Sequence, residues 1–205
     1  LGIYPPEERT IILDAAKWAI ELHKDQLRAS GEPYFIHPLQ VAEILVDARI
    51  DFQSVVAALL HDVLEDTEAS RQELRNRFGR DVESLVNGVT KISILRAKNK
   101  SIQEAETIRK MLFAMIKDIR VILIKLADKL HNMRTLEYLP EAKRRSIAAE
   151  CLDIYAPLAG RLGIGWVKDE LEDLSLKHLQ RQTYDQIKAF VAAKRGERSE
   201  YLKKV

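Results

Sequence analysis

Apolar residues recur at helical spacing along nearly the whole chain, and no stretch alternates as a half-buried strand would. Pro5-Pro6-Glu7-Glu8 is a helix start, and Ile12, Ala15, Ala16, Ala19 and Leu22 follow as a core stripe. That helix runs out near Arg28, where Gly31 and Pro33 punctuate a loop up to Tyr34. Phe35, Ile36, His37 and Pro38 lead into a second helix carrying Leu39, Val41, Ala42, Ile44 and Leu45. The run Val55-Val-Ala-Ala-Leu-Leu60, without Gly or Pro, predicts a buried third helix over about residues 51 to 65. Ser70 and Glu73 form a capping box, Gly79 is a stop, and Asp81 opens a helix with Val82, Leu85, Val86, Val89 and Ile92 inward.

Further on, the spacing predicts a helix from Glu104 to about Lys117 that buries Ile108, Met111, Leu112 and Met115. Arg96 to Ser101 has no apolar period and reads as a basic loop. Asp118 to Leu136 is strongly apolar and carries Asp128. A helix from Pro140 through Ile147, Cys151, Leu152 and Tyr155 is interrupted near Pro157, and Gly160, Gly163 and Gly165 mark a break. Trp166 to Leu179 and Thr183 to about Leu202 complete the chain. The predicted fold is all-α, a compact bundle of about 9–11 helices with no significant sheet.

Composition narrows the function. A chain of 205 residues, 46% hydrophobic and 31% charged, can bury a substantial core. Thirty-three basic against 31 acidic residues leave a formal charge of +2, which gives no electrostatic case for a nucleic acid or an anionic membrane as partner. The lone Cys151 cannot form an intramolecular disulfide, and no stretch reads as a signal peptide or a spanning helix, so a cytoplasmic location is expected.

Chemistry concentrates in Leu59-Leu-His-Asp-Val-Leu-Glu-Asp-Thr67. On a continuous helix Glu65 lies at i+4 from His61 and Asp66 at i+4 from Asp62, which would aim all four side chains toward one sector. Burying such charge without a counter-ion costs several kcal/mol or more, so a cation is the simpler account than a solvated face. His37 sits at a helix entrance and can be aimed inward. Asp128 ends a buried stretch and needs a partner, Lys125 at i−3 being the nearest candidate. His37, His61, Asp62 and Asp128 together offer two imidazoles and two carboxylates, a set suited to manganese, iron or zinc, among which spacing does not choose.

These positions match the His, His-Asp and distant Asp of the HD phosphohydrolases. The resemblance is closer still to the hydrolase domain of the RelA/SpoT family, which makes and degrades guanosine tetra- and pentaphosphate. It rests on Arg28-x-Ser-Gly-Glu-Pro-Tyr-x-x-His-Pro38, His61-Asp-x-x-Glu-Asp-Thr67 and Asp118-Ile-Arg-Val-Ile-Leu-Ile-Lys-Leu-Ala-Asp-Lys-Leu-His-Asn-Met-Arg-Thr-Leu136. Tyr155-Ala-Pro-Leu-Ala-Gly-Arg-Leu-Gly-Ile164 and Glu170-Leu-Glu-Asp-Leu174 resemble the segment that joins hydrolase to synthetase in long members. Ala29 departs from relatives that carry a basic residue there.

The resemblance implies an HD-type hydrolase domain over 1–158 and a helical extension over 159–205 that leads to a synthetase domain in a longer protein. It implies removal of the 3′-diphosphate from the alarmone, leaving GDP or GTP and pyrophosphate, with a divalent metal, manganese, as cofactor. His37, His61, Asp62 and Asp128 would hold the metal. Glu65 and Asp66 would be catalytic, while Arg28, Ser30 and Asn132 would contact substrate, and His131 would support a ligand rather than bind. The alternatives are hydrolysis of another nucleotide and a non-catalytic alarmone-binding module, against which the intact acids argue.

Overall fold

The computed structural model describes residues 1–93 and 100–204. The basic stretch Arg96 to Ser101, predicted as a loop, lies outside the described residues up to 99, and its last two residues, Lys100 and Ser101, are helical instead. Packing divides the chain into two compact units, Leu1–Tyr138 and Leu139–Val205.

In the first unit the helices are α1 (Pro6–Leu22), α2 (Ile36–Asp47), α3 (Phe52–Leu59), α4 (Val63–Asp66), α5 (Arg71–Ser93), α6 (Lys100–Lys117) and α7 (Arg120–Arg134). A 3-10 turn at Leu136–Tyr138 ends it. α3 is the hub, packed by α1, α2, α5 and α7. That surround explains why Val55 to Leu60 are apolar on every side: all six are at most 2% exposed. Asp51 caps α3, its carboxylate accepting from the Ser54 amide at 3.1 Å.

The third helix is shorter than its sequence predicts. It ends at Leu59, and Leu60 (φ −113°, ψ 9°) and Asp62 (φ −98°, ψ −8°) turn the chain before the single turn of α4. His61 and Asp62 therefore lie in a joint between helices, and the four polar side chains do not share one sector. His61 points into the core at 1% exposure, Asp62 is half-buried, and Glu65 and Asp66 are exposed.

Other expectations are met more closely. The capping box is present, Ser70 N–H reaching Glu73 Oε2 at 2.8 Å and Glu73 N–H reaching Ser70 Oγ at 3.2 Å. Gly79 (φ 89°, ψ 173°) breaks α5 where a stop was predicted, in a conformation only glycine adopts freely. On α6 Met111 is buried, but Ile108 is 45% exposed and Met115 only half-buried, so its apolar face is less covered than the spacing suggests. The side chain of Leu112 lies outside the described residues. Among the described residues the only strand-like pairing is an isolated antiparallel bridge between Leu27 and Pro33.

The second unit holds α8 (Glu141–Glu150), a π-helical turn at Cys151–Tyr155, α9 (Ala156–Arg161), α10 (Gly165–Leu179) and α11 (Arg181–Lys204). Pro157 does not interrupt the helix as predicted. The widened turn, with Ala156 N–H bonded to Cys151 O, makes room for the ring of Pro157 and for its missing donor. The glycine break is a Schellman cap: Gly163 N–H reaches Gly160 O at 3.1 Å, and Ile164 N–H reaches Ala159 O at 2.9 Å. This packing boundary falls within the span that the sequence assigns to a hydrolase domain ending at 158, because the helices from Glu141 onward pack on one another.

Candidate metal centre

Three elements of the first unit deliver the site. His37 opens α2, His61 and Asp62 come from the α3–α4 joint, and Asp128 lies mid-way along α7. α7 is buried among apolar neighbours, yet Lys125, Asp128 and His131 are at most 7% exposed on it. Such a buried polar stripe is costly unless each member is satisfied.

His37, His61 and Asp128 each present a ligand atom, and these lie within 4.8 Å of one another. His37 Nε2 is 3.2 Å from Asp128 Oδ1. His61 Nε2 stands 3.1 Å from Asp62 Oδ1 and 3.9 Å from Asp128 Oδ1. Asp62 Oδ2 also lies 3.8 Å from His37 Nε2, so the fourth residue expected from the sequence adjoins both imidazoles but stands outside the three-residue group.

The decisive atom is His61 Nε2. His61 Nδ1 meets Ala58 O at 2.8 Å and must donate to it, which in a neutral ring leaves a lone pair on Nε2. Nε2 is buried without a hydrogen-bond partner and faces two carboxylates. Burial opposes a charge on this ring, but Asp62 and then Asp128 outweigh it and push its pKa up to about 9. Either a proton or a metal ion resolves the clash of lone pairs, and the mixed nitrogen and oxygen donors suit a divalent ion.

The surrounding contacts fix the donors. Burial would raise the Asp128 carboxyl, yet Lys125, then His37 and His61, hold it well below the usual carboxylate range. Lys125 Nζ donates to Asp128 Oδ2 at 2.7 Å and Asn132 Nδ2 to Oδ1 at 2.6 Å. The ion pair anticipated from the sequence is thus present inside the cluster rather than instead of it. Asp62 is likewise held low: burial works against its charge, and His61 leads the groups that favour it.

A family model described as an HD domain matches residues 15–165. The chain belongs to the HD-domain family. HD domains bind divalent metals, and this one has a His37, His61 and Asp128 group that could hold an ion. It is 51% identical over 197 residues to a guanosine-3′,5′-bis(diphosphate) 3′-pyrophosphohydrolase of Borreliella burgdorferi, covering 96% of this chain and 30% of that protein. It is 49% identical over 203 residues to the bifunctional (p)ppGpp synthase/hydrolase SpoT of Escherichia coli K12, covering 98% of this chain and 29% of the relative. The chain thus spans under a third of the curated relatives it matches. A solved structure, described as a metazoan ortholog of SpoT that hydrolyzes ppGpp, superposes with a TM-score of 0.54 at 31% identity, over 88% of this chain and 97% of that one.

The remaining predicted residues lie on the loop before α2, on α4 and on α7. Arg28 donates from Nη2 to Asn132 Oδ1 at 3.1 Å and to Thr135 Oγ1 at 3.2 Å, so the loop before α2 is tied to the far end of α7. Ser30 is on the same loop with its hydroxyl donated to Glu32 at 3.0 Å. Glu65 and Asp66 line an open cavity of about 610 Å³ together with Glu21, Gln26 and Thr67.

Two side chains of the site were not picked out from the sequence. The Tyr34 hydroxyl lies 2.7 Å from Asp62 Oδ2 and 2.9 Å from Asp66 Oδ2, and burial, then Asp62, keeps the phenol protonated far above its ordinary value. Thr135 holds Arg28. Tyr34 stands inside the quoted motif three residues before His37, but no local pattern says which carboxylates a loop tyrosine meets. His131, expected to support a ligand, meets His37 Nδ1 through its own Nδ1 at 2.7 Å.

Proposed function

We propose that this HD domain is a manganese-dependent hydrolase that removes the 3′-diphosphate of guanosine 3′,5′-bis(diphosphate) and the corresponding pentaphosphate. The observation that carries the reading is the buried, unpartnered Nε2 of His61 set against Asp62 and Asp128, with Asp66 tied to Asp62 through the Tyr34 hydroxyl. The names of the Borreliella and Escherichia relatives and the description of the metazoan structure supply the substrate class.

In this reading His37, His61, Asp62 and Asp128 hold the ion. When bound, it supplies the acidity that makes water a nucleophile at neutral pH and offsets charge on the phosphoryl oxygens. Glu65 and Asp66 orient the attacking water, accept its proton and return one to the departing 3′ oxygen. The bond formed joins the water oxygen to the 3′ phosphorus, and the bond broken is that phosphorus to O3′, giving GDP and pyrophosphate. Arg28 offers a flat guanidinium for the guanine face, with Asn132 and Ser30 as donors to base, ribose or phosphate. The reading also places the domain in the cytoplasm and, in a longer protein, beside a synthetase domain of the kind named for the Escherichia relative. Among the described residues, no helix is long and apolar enough to cross a membrane.

The test is turnover of the tetraphosphate by purified protein after chelation and after addition of manganese, against a panel of other nucleotides. Activity should vanish, return with manganese, and yield GDP and pyrophosphate in equal amounts. His61→Ala and Asp128→Ala should bind little metal and stay inactive. Full metal occupancy and turnover in either variant would refute the ligand set, and preference for another nucleotide would refute the substrate.

A further inference from the structure

A single hydroxyl ties a proposed metal ligand to a proposed proton carrier. Tyr34 is within hydrogen-bond distance of Asp62 Oδ2 and of Asp66 Oδ2 at once. Asp62 turns Oδ1 toward His61 Nε2 and Oδ2 toward His37 Nε2, so the contact at Oδ2 holds the orientation of the carboxylate beside both imidazoles. Asp66 has little else to fix it. It ends α4, a helix of four residues, and Thr67 leaves in an extended conformation (φ −137°, ψ 172°). One turn of helix is too short to hold its last side chain by itself.

Tyr34, by contrast, is anchored on several sides. Its amide donates to Gln26 O at 2.9 Å, and its ring stacks on His23 with centroids 4.8 Å apart and planes at 27°. His23 is fully buried, and its Nδ1 meets Gln26 Oε1 at 2.7 Å. Gln26 Nε2 in turn donates to the backbone carbonyl of Asp66 at 2.7 Å. The segment from His23 to Tyr34 therefore grips Asp66 twice, at its carbonyl through Gln26 and at its carboxylate through Tyr34.

We infer that Tyr34 is a positioning residue for the hydrolysis: its hydroxyl links Asp62 to Asp66 and so aims the Asp66 carboxylate at the water beside the ion. The inference rests on the hydrolase reading of this site. Without the hydroxyl the Asp66 side chain regains its rotamers and Asp62 loses the contact that holds its carboxylate, while the contacts of Arg28 with Asn132 and Thr135 are untouched. The effect should fall on the chemical step and on ion affinity rather than on substrate capture.

Tyr34→Phe keeps the stacked ring and the backbone bond and removes only the hydroxyl. Wild type, Tyr34→Phe, Asp66→Asn, the double variant and Gln26→Ala are compared by thermal unfolding, by calorimetric titration of metal-free protein with manganese, and by kcat and KM for the tetraphosphate. Tyr34→Phe should bind the ion in unchanged stoichiometry but about tenfold more weakly, as loss of a ligand's hydrogen-bond partner typically does. Its kcat should fall about 10- to 100-fold, with KM changed by less than about threefold. In the Asp66→Asn background the same change should cost less than about threefold, because the carboxylate it positions is gone. Gln26→Ala, which touches Asp66 and no ligand, should lower kcat and leave manganese affinity alone. Fully multiplicative losses in the double variant, or a Tyr34→Phe enzyme within about twofold of an active wild type, would overturn the inference. A wild type that does not turn over the tetraphosphate would instead overturn the functional reading, and the manganese titrations would still decide whether Tyr34 sets Asp62.

Discussion

His37 and His131 meet nitrogen to nitrogen, Nδ1 to Nδ1 at 2.7 Å, with room for one proton between them. With a metal ion on His37 Nε2 the proton would belong on His37 Nδ1, and His131 Nδ1 would accept it. Burial, then the nearby His37 and Arg28, pushes the pKa of His131 down to about 3, which keeps it an acceptor. His131→Ala should leave all four proposed ligands in place yet weaken manganese binding about 10- to 100-fold, measured by calorimetry on metal-free protein. Unchanged affinity would show that His37 needs no such partner.

The metal-free protein should be most stable near pH 6.5. His131 is held neutral in the fold, so between about pH 3 and about 6.5 the unfolded chain takes up a proton that the folded chain refuses, and stability rises with pH. His37 is lowered by burial and acts in the same sense. His61 acts oppositely. With its pKa raised to about 9, its contribution is complete below about pH 6.5 and is lost as pH climbs through 9. Manganese replaces that proton, so the loaded protein should lack the alkaline decline. Urea unfolding at three or four pH values checks both limbs, and equal metal-free stability at pH 6.5 and 8.5 would count against the His61 assignment.

Glu65→Gln should keep metal and substrate affinity and lose at least about 100-fold in kcat, with Asp66→Asn similar, since a general base is typically worth about 10²- to 10⁴-fold. Both acids are exposed, and Asp66 is joined to Asp62 through the Tyr34 hydroxyl. Single-turnover kinetics with substrate titration separates the two halves. Lost metal would recast the pair as ligands, and near-normal turnover would remove them from the chemistry.

Arg28→Ala should raise KM by the equivalent of about 1 to 2 kcal/mol and leave metal content unchanged. The guanidinium is held by Asn132 and Thr135, so it is placed rather than free to wander. Steady-state kinetics and metal analysis of the variant decide this, and an unchanged KM would take Arg28 out of substrate binding.

Gly88→Ala should destabilise the first unit. A Cβ there would lie 2.8 Å from Val121 Cγ2 and 3.3 Å from Cγ1, where α5 and α7 touch. Val121 is buried and β-branched, so it yields poorly, and overpacking of this kind costs about 1 to 3 kcal/mol. Chemical denaturation measures the loss, and Val121→Ala in the same protein should recover part of it.

Much of this protein was legible before folding. Helical period placed α1, α2, α5 and α7, the capping box at Ser70 and the stop at Gly79 were local chemistry, and the motifs named His37, His61, Asp62 and Asp128. Local rules did not foresee the break at Leu60, because an apolar run reads as continuous helix whether or not the chain turns within it. Nor could they foresee the π turn that carries helix through Pro157. The partnerships of the site were beyond sequence altogether: Arg28 with Asn132 and Thr135, His37 with His131, and Tyr34 with Asp62 and Asp66 join residues from 28 to 107 positions apart. Periodicity fixes which face of a helix is buried, but which polar groups meet there depends on how whole helices pack, and only the tertiary structure sets that.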